Sequence, residues 1–266
     1  MRWMVGVCLA MGCFVTAGWC AEETPTEMTP AEETEAVEEG PSIHIGGGAI
    51  ISSQPYIGTD SRVYPLPLFT YEGKKLYFRG VVGGYWLYSF DGLSVGPVIR
   101  PRLEGYDADD SSELHGMHDR DWSIDGGLGV SWLTDVGLFG LTFVTDMLGR
   151  HKGQELDLSY TILFKWAGFD FVPSVGVRWK TENLIDYYYG VKDDEIRFDG
   201  AVSRASYDGD DAVDPYIQLA IRRKLTERWS LLGAVQYEWL DSEITDSPIV
   251  EDDYEASFLL GILYSW

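Results

Sequence analysis

From Tyr254 onward the chain alternates without a break. Tyr254, Ala256, Phe258, Leu260, Ile262, Tyr264 and Trp266 share one face; Glu255, Ser257, Leu259, Gly261, Leu263 and Ser265 share the other. A period of two marks a strand whose two faces meet different surroundings. A last strand that ends on an aromatic, with another aromatic two residues earlier, has the pattern that closes a bacterial outer-membrane barrel. There the outer face meets lipid and aromatic girdles mark the interfaces. A soluble edge strand can share this pattern, so the rest of the chain has to decide.

The alternation recurs. Leu156, Leu158, Tyr160, Ile162, Phe164 and Trp166 alternate with Glu155, Asp157, Ser159, Thr161, Leu163 and Lys165. Phe169, Phe171, Pro173, Val175, Val177 and Trp179 alternate with Asp170, Val172, Ser174, Gly176, Arg178 and Lys180, and Ala167-Gly168 between the two runs reads as a tight hairpin. Trp229 to Trp239 behaves in the same way, and further runs lie near 42–51, 63–71, 76–90, 93–106, 121–134, 138–147 and 212–225. Aromatics cluster at the run ends: Trp122, Trp132, Trp166, Trp179, Trp229 and Trp239, with Tyr264 and Trp266 at the terminus. Indole prefers the headgroup level of a bilayer, whereas a soluble sandwich has no reason to place Trp at both ends of a strand. No segment beyond the N-terminus approaches the length of a helical span, and a tilted strand crosses with about 9–11 residues. The fold class is therefore all-β: an antiparallel transmembrane barrel placed in the outer membrane.

The N-terminus fits export. Met1-Arg2, the apolar Met4–Val15 stretch and the small residues Ala17, Gly18 and Ala21 have the layout of a signal peptide over 1–21. Cys8, Cys13 and Cys20 all fall within it, so neither disulfides nor thiol chemistry is expected to hold the mature chain. Residues 22–41 carry glutamates 22, 23, 27, 32, 33, 35, 38 and 39 with no basic residue, and read as a disordered acidic linker. The barrel then occupies 42–266. With the C-terminus in the periplasm, 107–120, 148–153, 182–211 and 241–253 become outer loops, and 135–137, 167–168 and 226–228 periplasmic turns. Counting the runs gives eleven strands. A single-chain barrel calls for an even number, so about twelve are expected, with the extra strand inside 183–211 or 76–106; the alternative is ten, with 42–51 not crossing.

Several short pieces, in this order and spacing, resemble the MipA/OmpV family of outer-membrane proteins. They are Tyr56-Ile57-Gly58-Thr59-Asp60 followed by Pro65-Leu66-Pro67, then Gly149-Arg150-His151-Lys152-Gly153, Tyr188-Tyr189-Gly190-Val191, Arg228 to Gly233, Ser247-Pro248-Ile249-Val250 and the aromatic terminus. The resemblance covers about 42 to 266. The more charged turn Tyr71–Lys75, the terminal Trp and the acidic arm depart from the family pattern. The resemblance implies a scaffold or envelope-organising role, with a murein transglycosylase and a penicillin-binding protein as partners. It supplies no catalytic motif and no cofactor.

The residues themselves bound the function. With 43 acidic against 20 basic residues and a net charge of −23, nucleic acid is excluded as a partner. The expected partners are outer-membrane lipid and lipopolysaccharide, with the barrel-assembly machinery engaging the C-terminal strand. The acidic clusters Asp107, Asp109, Asp110 and Glu251, Asp252, Asp253 are candidates for weak divalent-cation binding. Inward phase assigns Arg100, Arg102, Asp125, Asp157, Lys165, Asp170, Arg178, Lys180, Arg222, Lys224 and Glu238 to the lumen, with Glu104 and Glu255 beside them. Opposed charges there either pair and fill the barrel or line a small porin. A hydrolase would need His115, His118 or His151 beside a nucleophile. The sequence contains no phosphate loop or Cys/His zinc set, so no enzyme is expected.

Overall fold

The computed structural model describes residues 41–199 and 203–265; the expected signal peptide, the acidic arm up to Gly40 and Trp266 lie outside them. In chain order the strands are β1 (Ser42–Ser52), β2 (Arg62–Glu72), β3 (Leu76–Arg79), β4 (Val82–Tyr85), β5 (Tyr88–Phe90), β6 (Leu93–Arg102), β7 (Ser123–Thr134), β8 (Gly137–Asp146), β9 (Gln154–Thr161), β10 (Phe164–Trp166) and β11 (Phe169–Lys180). After helix α1 (Glu182–Tyr189) and a 3₁₀ turn (Asp193–Glu195) come the two-residue strands β12 (Arg197–Phe198) and β13 (Ser203–Arg204). They are followed by β14 (Ala212–Lys224), β15 (Trp229–Trp239), the short helix α2 (Ser242–Thr245) and β16 (Tyr254–Ser265).

Every pairing is antiparallel, and β1 pairs with both β2 and β16, which closes the sheet on itself. The circuit runs β1-β2-β3-β4-β6-β7-β8-β9-β11-β14-β15-β16 and is a closed barrel of twelve strands. Closure gives each strand of the circuit a neighbour on both sides, and unpaired backbone groups are costly in hydrocarbon. β5 and β10 continue β4 and β9 after short breaks.

The twelfth strand lies within 76–90, where a single run was expected. The chain reverses at Gly80-Val81, and β3 pairs back on β4. In contrast, 182–211 holds α1 and the β12–β13 hairpin, neither of which joins the barrel. Ala167 and Gly168 both adopt positive φ (52° and 79°), the pair of conformations that a two-residue hairpin turn of matching twist demands. Asp91-Gly92 repeats this between β5 and β6, with φ of 46° and 79°.

Long connections gather at one end and short ones at the other, which sets the loop end outside and the turn end in the periplasm. The tryptophans fall into two tiers on this axis. Trp122, Trp179 and Trp239 lie at the loop end; Trp132, Trp166 and Trp229 lie at the turn end. All except the half-buried Trp179 are exposed, as a lipid-facing girdle requires. On β16 the alternation holds: Phe258, Leu260 and Ile262 are exposed, and Glu255, Leu259 and Leu263 are buried.

Candidate functional site: an ion-paired lumen

Inward-facing residues in the outer half of the barrel form a buried layer of ion pairs. Arg102 on β6 bonds Asp125 on β7 (2.8 Å), Glu104 just past its own strand (2.8 Å) and Glu155 on β9 (2.7 Å). Arg100 reaches the other oxygen of Glu155 at 2.8 Å. Arg178 on β11 bonds Asp157 at 3.1 Å and Glu238 on β15, and lies 4.1 Å above the ring of Tyr216. Lys180 sits between Asp214 (2.7 Å) and Glu238 (3.1 Å). Each of these charged side chains is buried. Desolvating so many charges is tolerated only because each has an opposite partner and hydrogen bonds.

Above this layer the outer loops build a hydrophobic core of their own. Tyr56, Tyr106, Leu114, Leu184, Ile185, Tyr188, Tyr189, Ile244 and Ile249 come from the connections 53–61, 103–122, 181–211 and 240–253 and pack together, all nearly or fully inaccessible. Tyr56 lies edge-on to Tyr106 (centroids 4.6 Å apart) and stacks on Tyr189 (5.7 Å). Burial holds the hydroxyls of Tyr56, Tyr106 and Tyr189 protonated far above their ordinary range. A second anchor is Glu195. It accepts from the backbone N–H groups of Lys192 (2.9 Å) and His118 (2.8 Å), and from the Arg120 guanidinium. Burial pushes its carboxyl up, but these donors outweigh that and leave it below the usual carboxylate range.

Of the residues assigned to the lumen, Arg100, Arg102, Asp125, Asp157, Arg178, Lys180 and Glu238 meet in the ion layer, and Glu104 and Glu255 are buried with them. Arg222 and Asp170 sit lower and approach to 3.9 Å, while Lys165 and Lys224 are exposed at the turn end. Sequence reasoning left Glu155, Asp214 and His151 off the lumenal set. The first two lie in phase with Asp157 and with Tyr216, so the alternation carried the signal. His151 lies outside any strand, so the alternation does not reach it; the sequence marked it only as a residue of the two-glycine turn 149–153. Below the ions, the lumen departs from the polar interior expected of a barrel: Ile50, Leu68, Leu232, Leu259 and Leu263 form one apolar cluster, and Tyr77, Val82, Trp86, Val98 and Val144 another.

The acidic cation candidates separate. Asp110 takes the Arg62 guanidinium and the Asp107 N–H (2.9 Å), and Asp109 faces His115 at 3.7 Å. Glu251 accepts from the Gly58 N–H at 3.2 Å; with Asp252 and Asp253 it belongs to another loop. Among the described residues, the three carboxylate and imidazole groups that do converge are Asp125, Asp146 and His151, with ligand atoms within 4.8 Å. All three are hydrogen-bonded within the protein. The Gly153 N–H donates to His151 Nδ1 (3.1 Å), so Nε2 carries the proton and donates to Asp125 (3.1 Å). Asp146 accepts from Ser123 Oγ (2.7 Å) and from the Leu148 and Lys152 N–H groups (both 2.9 Å). This is a hydrogen-bonded knot that pins the 147–153 loop to the ion layer.

The histidines make no catalytic set. His118 faces Glu195 and Asp194, His115 faces Asp109, and His151 faces Asp125. His44 Nδ1 does meet Ser265 Oγ at 2.9 Å near the turn end, but the charges around it are Arg222 and Lys224, and among the described residues no carboxylate pairs with the ring.

The chain that builds this twelve-stranded barrel has known relatives. The family described as MltA-interacting protein MipA matches residues 45–266. The chain belongs to the MipA family. The MltA-interacting protein of Escherichia coli K12 is 31% identical over 225 residues, covering 84% of this chain and 89% of that protein. The outer membrane protein Omp26La of Vibrio anguillarum is 26% identical over 206 residues, covering 77% and 79%. Among solved structures, the COG4313 outer membrane channel from Pseudomonas putida F1 aligns over 90% of this chain and all of that one, at 10% identity and a TM-score of 0.41. This MipA-family chain is an outer-membrane protein.

Proposed function

We propose that this protein is an envelope scaffold: a closed barrel that anchors murein-processing machinery at the outer membrane. The observation that carries this reading is the double seal, an ion layer across the lumen and an apolar core of loops above it. A barrel filled at two levels is a poor conduit, so its use lies in what its surfaces hold. The partner class comes from the relative named MltA-interacting protein, and a murein transglycosylase fits it. Contact would fall on the periplasmic side, where the turns at Gly73–Lys75 and Thr226–Arg228 emerge and where the acidic segment 22–41 leads into β1.

The test is cross-linking in cells from Lys74 or Lys75 replaced by a photoreactive residue, followed by identification of the captured protein. A murein transglycosylase at these positions, with capture weakened by deletion of 22–41, is the expected result. Capture of no cell-wall enzyme from either position would overturn the assignment. Passage of polar solutes, the other reading of the same charges, needs a path through the ion layer.

A further inference from the structure

The barrel wall is not laddered to its full height. β2 pairs with β1 along its whole length, from Arg62 opposite Ser52 to Glu72 opposite Ser42, but with β3 only over Thr70–Glu72. β6 pairs with β7 from Leu93 to Arg102, but with β4 only at Val98 and Ile99. The β3–β4 hairpin is a stub that turns back at Gly80-Val81. Above it, Val63–Leu68 of β2 and Arg100–Arg102 of β6 face each other with no strand between them among the described residues. Two strands normally fill about 10 Å of wall. Here the join is made by side chains. At its upper end the Arg62 guanidinium donates to the Gly105 carbonyl (2.9 Å) and to Asp110.

The sequence is adapted to this seam. The Phe69 carbonyl accepts from the Gly80 N–H (2.9 Å), so odd-numbered residues of β2 turn their backbone groups toward β3. The strand period puts the ring nitrogens of Pro67 and Pro65 on that same side, above the stub. On β6 the Val95 carbonyl accepts from the Leu87 N–H (2.9 Å), which aims Pro97 and Pro101 toward β4. Among the seam-facing positions Val63, Pro65, Pro67 and Pro101, Val63 alone brings a backbone N–H. Proline thus removes donors that would be orphaned in lipid. The same substitution leaves an edge of acceptors with Val63 as its one donor among these four positions, to which a strand of another chain pairs poorly.

Both sides of the seam are apolar. Val63, Phe69, Phe78 and Ile99 are exposed on the lipid face. Behind them, Leu68 and the half-buried Leu66 belong to one lumenal apolar cluster and Val98 to the other. Arg100 stands beside the seam with its Nη1 buried and without a hydrogen-bond partner. We infer that the β2–β6 seam is a lateral entrance through which a single-chain anionic amphiphile of the outer leaflet passes its acyl chain into the apolar lower lumen, with its head group held at Arg100. The donor-poor edge rules against a strand, the apolar residues on both rims of the seam select a hydrocarbon chain, and the guanidinium nitrogen left without a hydrogen bond selects an anionic head. This site is independent of any periplasmic partner.

Trp86, buried in the lumenal cluster, reports on it. A brominated fatty acid is titrated into the full chain purified from outer membranes, and the difference between wild type and W86F isolates lumenal quenching from that of the lipid-facing tryptophans. Saturable Trp86 quenching, relieved by unbrominated fatty acid, is expected. Joining the seam with a bis-maleimide across V63C/P101C should slow it about tenfold or more, and the singly substituted, equally treated chains should behave as wild type. If the double variant fails to show heat-modifiable mobility, R100L serves instead. It should weaken fatty-acid binding about tenfold while leaving the corresponding fatty alcohol unchanged. Absence of saturable Trp86 quenching overturns the inference, as does quenching indifferent to both the joined seam and R100L.

Discussion

Arg102 and Glu155 meet at 2.7 Å although β7 and β8 stand between their strands in the wall. The pair is therefore a chord across the lumen, and Arg100 adds a second one to the same carboxylate. Replacing Glu155 by Gln leaves two buried guanidinium groups under-compensated. We expect a loss of about 3–5 kcal/mol, the usual cost of breaking a buried pair. The temperature at which gel mobility shifts should fall accordingly. An unchanged transition would mean that the chords carry no stability.

The loop core should respond to acid. Glu195 has a folded pKa below its unfolded value, so its contribution is fully present above the unfolded value of about 4.3 and is lost as pH falls through the lower folded value. Protease nicking of the outer loops should rise steeply below about pH 4, and E195Q should nick readily at neutral pH with little further change in acid. Equal acid sensitivity of E195Q and wild type would contradict this assignment.

Closure depends on a close approach. A Cβ on Gly46 would lie 1.9 Å from the Ile262 carbonyl oxygen, a backbone atom that cannot step aside. Gly46→Ala should block the β1–β16 pairing and abolish heat-modifiable mobility, whereas Gly47→Ala, with nothing within 4 Å, should fold normally. Folding of Gly46→Ala with native stability would refute this packing.

In the Asp125–Asp146–His151 knot both imidazole nitrogens are committed, one accepting from Gly153 and one donating to Asp125, so no ring nitrogen is left for an ion. Millimolar zinc or calcium should leave thermal stability unaltered through this cluster, and calorimetry should show no isotherm that disappears in H151A. H151A should itself cost about 1–3 kcal/mol by stranding buried polar groups. A zinc isotherm lost in H151A would reverse this conclusion.

Much of the barrel was legible because its two faces see different media: period two in β9, β11, β15 and β16, and tryptophans at both strand ends. Seven lumenal charges were placed by phase alone. The β3–β4 stub was hidden because four-residue strands are too short to show a period, and its turn at Gly80-Val81 looks like one more small-residue pause within a run. His151 was hidden for another reason. Its partners, Asp125 and the Gly153 N–H, are brought to it by loop folding that no local pattern records. The apolar lower lumen was hidden in plain view, since Leu259 and Leu263 sit on the face that barrels usually keep polar.

The central claim is that this barrel is sealed. Single-channel conductance of the folded chain in a planar bilayer, with folding verified by heat-modifiable mobility, tests it most directly. The account predicts a silent membrane for wild type. Discrete, reproducible openings from the wild-type barrel would contradict it and return the ion layer to the role of a selectivity filter.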